Sequence, residues 1–117
     1  MNRNDIVGGT EHLVLAAVPR LQKKGVSTAS GTAVQKEVKE QAKRELSIGA
    51  ICTTLERLEK RGLLESEISD RDGRRPKRFY SLTEPGLQAL VEARSAFDGL
   101  WKGLGRMLPK LSPIPGR

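Results

Sequence analysis

Apolar residues recur every three or four positions over most of this chain, a spacing that predicts amphipathic helices. The first helix is expected over 10–24, where Thr10 can cap its start and Gly25 can stop it. Pro19 removes a backbone N–H from the helix interior, so a kink or an early end is expected there. The apolar face of this helix consists of Leu13, Val14, Ala17 and Leu21.

Two more helices are predicted on either side of a short turn, in the outline of a helix-turn-helix. The first covers 32–44 and begins with the spacing of a capping box, Thr32 followed by Gln35. The second begins after Ser47 as its N-cap and ends at Gly62, which suits a left-handed C-terminal cap. Their buried stripes are Val34, Val38 and Ala42 in the former and Ile48, Ile51, Leu55 and Leu58 in the latter.

The pattern then changes to that of a hairpin and returns to that of a helix. Residues 63–69 and 78–82 predict two strands joined by a loop. Residues 83–108 predict a single long helix whose apolar positions follow the spacing of a coiled-coil seam. Such a seam packs against another helix, and association with a second copy would relieve the shortage of core in a chain of this size. The predicted interface residues are Leu87, Leu90, Phe97, Trp101, Leu104 and Leu108.

The ionisable residues exclude several classes of protein. The chain has 117 residues, with 21 Lys+Arg against 14 Asp+Glu, a single Cys and a single His. One Cys and one His cannot complete the ligand set of a structural zinc site, so no metal site is expected. The sequence offers no set of nucleophile, base and orienting residue and no phosphate-cradling glycine loop, so neither an enzyme nor a bound cofactor is expected.

The distribution of apolar and charged residues indicates the compartment and the partner. The longest purely apolar run, 13–18, is far too short to cross a membrane, and the first residues lack the apolar core of a secretory signal. We therefore expect a cytoplasmic protein with no membrane partner. The net charge of +7 makes a polyanion the first partner to consider.

The order of the predicted elements is that of a winged helix-turn-helix, a fold that is mainly α with a small β-hairpin. In this fold the third helix enters the major groove of double-stranded DNA and the hairpin tip lies along the phosphate backbone. We expect residues 1–82 to form this DNA-binding domain, 83–108 to form a C-terminal dimerisation helix and 109–117 to form a flexible tail.

Basic and small residues fall where this plan needs them. Between 71 and 78, five basic residues stand against one acidic residue, Asp72, a cluster suited to phosphates. Small and hydroxylated side chains on the third helix would let it approach the base edges closely. The predicted DNA-contacting residues of the third helix are Ser47, Gly49, Ala50, Thr53, Thr54 and Arg57. Those of the wing are Arg71, Arg74, Arg75, Lys77 and Arg78.

The second helix offers a weaker candidate for phosphate contact, Lys36. Glu37 and Glu40 beside it predict charge pairs that any solvated helix carries. For the basic residues of the wing, the alternative is an ordinary solvated loop. For the residues of the third helix, the alternative is an ordinary exposed helix face.

Two segments carry the most specific pattern in the chain: 46–64, LSIGAICTTLERLEKRGLL, and 73–83, GRRPKRFYSLT. In these segments, and more broadly back to 11–16 and forward over 86–101, the chain resembles the PadR-like winged-helix transcriptional regulators. The resemblance implies a homodimeric DNA-binding repressor of the short-tailed subgroup, with a single C-terminal helix that packs on the partner's first helix. Since some members are released from DNA by small aromatic ligands, it also implies a small aromatic effector as a candidate partner.

Two residues depart from that family's pattern. Cys52 stands where the family usually has Tyr, and Ser30 stands where it often has an aromatic ring. We expect Cys52 to be a small buried apolar side chain rather than a redox switch, because the chain has no resolving cysteine. Trp101 is expected to pack at the interface rather than to stack on a ligand.

The predicted function is that of a sequence-specific regulator of double-stranded DNA, a homodimeric repressor that reads a pseudo-palindromic operator. A winged-helix protein–protein interaction module without an operator is the first alternative. A basic protein that binds structured RNA or DNA by shape is the second.

Overall fold

The computed structural model describes residues 9–25, 27–69 and 75–110 of the chain. Within them, three helices precede an antiparallel hairpin and a long helix, which confirms the predicted fold class. The elements are α1 (Gly9–Gln22), α2 (Gly31–Ala42), α3 (Ile48–Lys60), β1 (Leu64–Ser69), β2 (Lys77–Leu82), α4 (Glu84–Trp101) and α5 (Leu104–Met107), followed by a 3₁₀ turn at Leu108–Lys110.

The hydrophobic core lies between the first three helices and is closed by the hairpin and the first half of α4. The inner face of α3 carries Ile51, Leu55 and Leu58, all fully buried. Their partners on the other elements are Val14, Leu15, Val18, Val34, Val38, Leu64, Tyr80 and Ala89. Because every element up to α4 contributes to this core, the position of α3 is fixed by the whole unit rather than by one neighbour.

α1 differs in its bounds from the helix predicted over 10–24. It begins at Gly9, so Thr10 lies inside its first turn and the N-cap assigned to Thr10 is wrong. Pro19 stands within the helix, and α1 ends soon after it, at Gln22, in agreement with the early end expected from the missing N–H.

α2 is capped by a different residue from the one predicted. The Oγ of Ser30 accepts a hydrogen bond from the N–H of Ala33 at 3.3 Å, so the helix begins at Gly31 and the capping box of Thr32 and Gln35 is wrong. Gln35 instead donates from its side-chain amide to the carbonyl of Leu46 at 2.9 Å.

α3 ends in a Schellman motif. The N–H of Gly62 donates to the carbonyl of Glu59 at 2.9 Å, and the N–H of Leu63 donates to the carbonyl of Leu58 at 3.0 Å. Gly62 has φ +78°, a conformation that costs a residue without a Cβ little. The left-handed cap predicted at Gly62 is therefore confirmed.

The hairpin is held by more than its own two strands. In the antiparallel register, Ser66 lies opposite Tyr80 and Ile68 lies opposite Arg78. In addition, the N–H of Tyr80 donates to the carbonyl of Ala29 at 3.0 Å. This bond joins the wing to the segment before α2, so the wing has a defined place beside the helix-turn-helix.

α4 is shorter than predicted. Thr83 caps it by accepting a hydrogen bond from the N–H of Gly86 at 3.0 Å. The helix ends at Trp101, and Gly103 adopts φ +78°, so the single helix predicted over 83–108 is wrong beyond residue 101. Gly99, Gly103 and Gly105 lower helix propensity in this stretch, which explains the break. Of the predicted tail, 111–117 lies outside the described residues.

Candidate nucleic-acid interface

α3 presents a continuous exposed stripe opposite its buried face. Gly49, Thr53, Glu56 and Lys60 are spaced by four, three and four residues and are all exposed, so they follow one side of the helix. Ala50 and Arg57 are also exposed, beside this stripe. The small residues lie toward the N-terminal end and the charged ones toward the C-terminal end, so the backbone of the first two turns is the most accessible.

The start of α3 is fixed by local hydrogen bonds. The Oγ of the exposed Ser47 accepts a hydrogen bond from the N–H of Ala50 at 3.0 Å. The bond from Gln35 to the carbonyl of Leu46 holds the preceding turn against α2. Lys43 ends α2 in the left-handed region, at φ +56°. The remaining backbone N–H groups at the start of α3 favour an anion placed there.

Two residues of α3 lie elsewhere than predicted. Thr54 is only 6% exposed and donates its hydroxyl to the carbonyl of Ala50 at 2.7 Å, so its assignment to the DNA-contacting face is wrong. Cys52, expected to be buried, is exposed, because it lies at the edge of the inner stripe beside Gly31. A Cβ on Gly31 would come within 3.1 Å of the Cys52 sulfur.

Three of the five basic residues predicted for the wing lie in the part of the chain that the structure describes. Arg75, Lys77 and Arg78 are exposed at the start of β2, while Arg71 and Arg74 lie outside the described residues. Lys77 pairs with Ser69 and Arg78 with Ile68 in the strand register. The described part of the wing therefore carries a basic surface near the C-terminal half of α3.

A chain of side-chain hydrogen bonds links this surface to α3. The Nη1 of Arg78 donates to the Oγ of Ser66 at 2.8 Å, and that hydroxyl donates to the Oε2 of Glu59 at 2.7 Å. The three residues come from β2, β1 and α3, so the contact fixes the wing relative to the helix. The sequence pattern contains no signal for it, because it depends on strand register and on the rotation of α3.

Residues 20–92 match the model of a family described as the transcriptional regulator PadR-like family. The chain belongs to this family. It is therefore a transcriptional regulator and not an enzyme, and the resemblance seen in its sequence is confirmed.

Solved structures share this PadR-like fold. A PadR family regulator from Eggerthella lenta is 26% identical, with a TM-score of 0.64 over 85% of this chain and 83% of that one. A PadR-like transcription factor from Bacteroides fragilis is 20% identical, with a TM-score of 0.67 over 84% of this chain and 88% of that one. Bacillus subtilis PadR in complex with operator DNA is 20% identical, with a TM-score of 0.59 over 92% of this chain and 51% of that one. No curated protein sequence matches the chain.

In this PadR-like protein, the charged side chains of α2 differ in exposure from what the sequence indicates. Lys36 is exposed, and its Nζ lies 4.0 Å from Glu40. Glu37, expected to be solvated, has a side chain only 6% exposed, and its carboxylate lies 2.7 Å from Arg20 of α1 and 3.8 Å from Lys24 in the turn that follows. The prediction for Glu37 is therefore wrong, and its carboxylate joins α1 to α2.

The far end of α3 is also tied to α1. Arg61, which follows the helix, donates from Nη1 to the carboxylate of Glu11 at 3.1 Å, and both side chains are mostly buried. Together with the contact from Gln35 at the other end, this pair holds α3 in a fixed orientation.

The predicted dimer residues divide into two groups. Leu90 is half-buried and packs against the protomer's own core, so less of its side chain is exposed than the seam pattern predicts, and its place in a dimer interface stays a prediction. Leu87, Phe97, Trp101 and Leu108 are exposed, and Leu104 is half-buried. The rings of Phe97 and Trp101 stack with centroids 6.2 Å apart.

Two apolar residues that the seam pattern did not include, Val91 and Leu100, are also exposed on α4. Leu100 lies with Phe97 and Trp101 on the side of α4 that carries the buried Gly86 and Ala89 in the first half, so the second half exposes apolar residues on that side.

Other kinds of site are not seen in the part of the chain that the structure describes. Residues 9–25, 27–69 and 75–110 contain no group of acidic, His or Cys side chains placed to hold a metal ion. Among the same residues, none of the helices combines the length and the hydropathy that crossing a membrane requires.

Proposed function

We propose that this PadR-like protein binds a pseudo-palindromic operator in double-stranded DNA as a homodimer and represses transcription. Residues 1–82 would form the DNA-binding unit, and the apolar residues of 83–108 would join two protomers. In this proposal α3 enters the major groove and the wing follows the phosphate backbone.

One observation carries the proposal: α3 exposes a face whose side chains are small toward its N-terminal end, and the basic start of the second wing strand lies near its C-terminal half. Gly49 and Thr53 leave the backbone of α3 open to a groove, while Arg75, Lys77 and Arg78 provide cations on the side where a backbone would pass. The hydrogen-bonded chain from Arg78 to Glu59 holds these two surfaces together. The fold shared with Bacillus subtilis PadR, which was solved with operator DNA, supports the same use of these elements.

The apolar face of α4 supports the homodimer. Phe97 is 63% exposed and Trp101 is 50% exposed, and Leu100 beside them is also exposed. Large apolar side chains clustered in this way mark an interface. Two copies of α3 related by a twofold axis can read successive major grooves if they lie about 34 Å apart, one turn of DNA, so the operator would have two related half-sites.

The test is selection of bound fragments from random duplex DNA, followed by titration of the selected duplex and of a scrambled duplex. A repressor of this design should enrich two inverted half-sites and lose affinity steeply with salt, because each protomer neutralises several phosphates. Two variants distinguish the contribution of the wing to DNA binding from that of α3. Arg75→Ala should weaken both duplexes alike, whereas Thr53→Ala should mainly reduce the preference for the selected one.

The other outcomes identify the rival functions. A protein–protein interaction module would enrich no DNA sequence and would show no effect of either substitution. A protein that binds by shape would be displaced from the duplex by structured RNA. Repression itself is tested with a reporter gene placed behind the selected site, where the protein should lower transcription and Arg75→Ala should restore it.

A further inference from the structure

An acidic side chain stands in the middle of the surface that the proposed function assigns to DNA. Glu56 is exposed on the same stripe of α3 as Gly49 and Thr53, two turns beyond the former and about one turn beyond the latter. Neither of those residues has a long side chain, so the Glu56 carboxylate extends farther from the helix than its neighbours toward the N-terminus. It would be one of the first groups of α3 to meet a base edge.

Several carboxylates of the helix-turn-helix have partners, whereas no hydrogen bond or ion pair of Glu56 is found among the described residues. Glu37 pairs with Arg20, Glu40 lies near Lys36, and Glu45 lies 3.0 Å from Lys39. Glu59 accepts a hydrogen bond from Ser66. Among the described residues, no hydrogen-bond or ion-pair partner competes with a group outside the protomer for the Glu56 carboxylate.

A carboxylate on a DNA-facing surface is repelled by the phosphates whatever the base sequence. Only a hydrogen-bond donor on a base edge offsets this repulsion. In the major groove, guanine presents two acceptors, thymine presents an acceptor and a methyl group, and adenine presents its amino donor beside the N7 acceptor. Cytosine presents its N4 amino group without a neighbouring acceptor, so it is the base edge that a carboxylate suits best.

We infer that Glu56 is a specificity-determining residue that accepts a hydrogen bond from the N4 amino group of a cytosine in each operator half-site. This inference rests on the proposed function. It goes beyond that function by naming a base and the residue that reads it, on a face where the sequence indicated small and hydroxylated side chains.

The experiment compares the fragments selected from random duplex DNA by the wild-type protein, by Glu56→Gln and by a control, Glu65→Gln. Glu65 is an exposed glutamate on β1 next to Ser66, so its side chain lies on the face of the hairpin opposite to the one that contacts α3. Both substitutions remove the same charge. Titrations of the wild-type site and of sites with each other base at the identified position give the preference directly.

The inference requires a cytosine at one position of each wild-type half-site and a loss of about tenfold or more in the preference for it with Glu56→Gln. Glu56→Gln should also bind scrambled DNA more tightly than the wild type, and Glu65→Gln should keep the wild-type motif. An enriched motif that Glu56→Gln reproduces unchanged would overturn the inference and leave the proposed function standing. Failure of the wild-type protein to enrich any motif would overturn the proposed function and the inference with it.

Discussion

The α-carbon of Gly86 lies directly against the backbone carbonyl of Leu63. A Cβ at position 86 would stand 2.1 Å from that oxygen and 2.7 Å from the Cδ1 of Leu82. The same carbonyl accepts a hydrogen bond from the N–H of Thr83 at 3.2 Å. The first turn of α4 therefore packs directly against Leu63, the residue that follows Gly62 at the end of α3. This close approach requires glycine at position 86.

Substitution of Gly86 by alanine should destabilise the protein. The added methyl group can be accommodated only if α4 moves away from Leu63, which we expect to cost about 1–3 kcal/mol of the free energy of unfolding. Urea denaturation followed by far-UV circular dichroism measures this loss. Protein concentrations must be equal in all samples, because a dimer's stability depends on concentration.

Gly99→Ala provides the matched control, since it makes the same change in the same helix. Gly99 is exposed, and a Cβ built on it has no neighbour within 4 Å. Alanine there should stabilise the protein by about 0.5–1 kcal/mol through helix propensity. If Gly86→Ala were as stable as Gly99→Ala, the result would contradict the close packing of α4 against Leu63.

Phe97→Asp should dissociate the proposed dimer without unfolding the protomer. Phe97 is exposed and stacks on Trp101, so a charge there has water to solvate it in a monomer but not in an apolar interface. We expect the dimer to weaken by at least about 30-fold. Size-exclusion chromatography with light scattering over a range of concentrations measures the change, and circular dichroism reports the fold.

Ser95→Asp is the control for that experiment. Ser95 is also exposed on α4 but lies nearly opposite Phe97 around the helix, so the same new charge should leave the dimer intact. Dissociation by both variants would indicate a general effect of charge on α4, and dissociation by neither would contradict the interface.

Tyr80 should make the free energy of unfolding depend on pH in the alkaline range. Burial raises the pKa of its phenol above the ordinary value of 10.0, and the negative charge of Glu59 raises it further. The folded state therefore binds the proton more tightly than the unfolded chain does. This contribution to stability is fully present below pH 10.0 and is lost as the pH rises through the raised pKa.

The titration can be observed directly, because Tyr80 is the only tyrosine in the chain. The phenolate absorbance should rise at a higher pH in the native protein than in the protein unfolded by urea. Tyr80→Phe should remove the part of the alkaline loss of stability that comes from this group. Identical titration midpoints in the native and unfolded states would contradict the burial of the phenol.

Structure set by neighbouring residues could be predicted from the sequence. The N-cap Ser47 and the C-terminal cap Gly62 both depend on backbone groups within one or two turns. The cap of α2 could not be chosen in this way, because Ser30 and Thr32 are both hydroxyl residues at suitable places. The hydrogen bond from Tyr80 to Ala29 holds the chain extended up to Ser30, and that bond joins segments far apart in the sequence.

In the candidate site too, helical periodicity predicts some features, whereas tertiary packing decides others. The exposed stripe from Gly49 to Thr53 follows from helical periodicity alone. Thr54 and Cys52 stand at the two edges of the buried stripe, where periodicity cannot decide which side is covered. Packing buries Thr54, which satisfies its own hydroxyl through Ala50, and leaves Cys52 exposed.

Ser66→Ala should loosen the wing and weaken DNA binding. The substitution removes the hydroxyl that accepts from Arg78 and donates to Glu59, so the guanidinium loses its anchor to α3. We expect a loss of about 1 kcal/mol in the free energy of unfolding. Arg78 would then have to be ordered when DNA binds, so the affinity for the selected duplex should fall several-fold.

Three further variants distinguish this hydrogen-bonded chain from a general effect on the hairpin. Ser66→Thr keeps a hydroxyl and should restore most of the binding. Ser81→Ala removes a hydroxyl from the other face of the hairpin, opposite Glu65, and should have little effect. Arg78→Ala completes a double-mutant cycle with Ser66→Ala. If Ser66 acts through Arg78, the two losses should be strongly non-additive, by about 0.5–3 kcal/mol, whereas simple additivity would show that Ser66 does not position Arg78 for DNA.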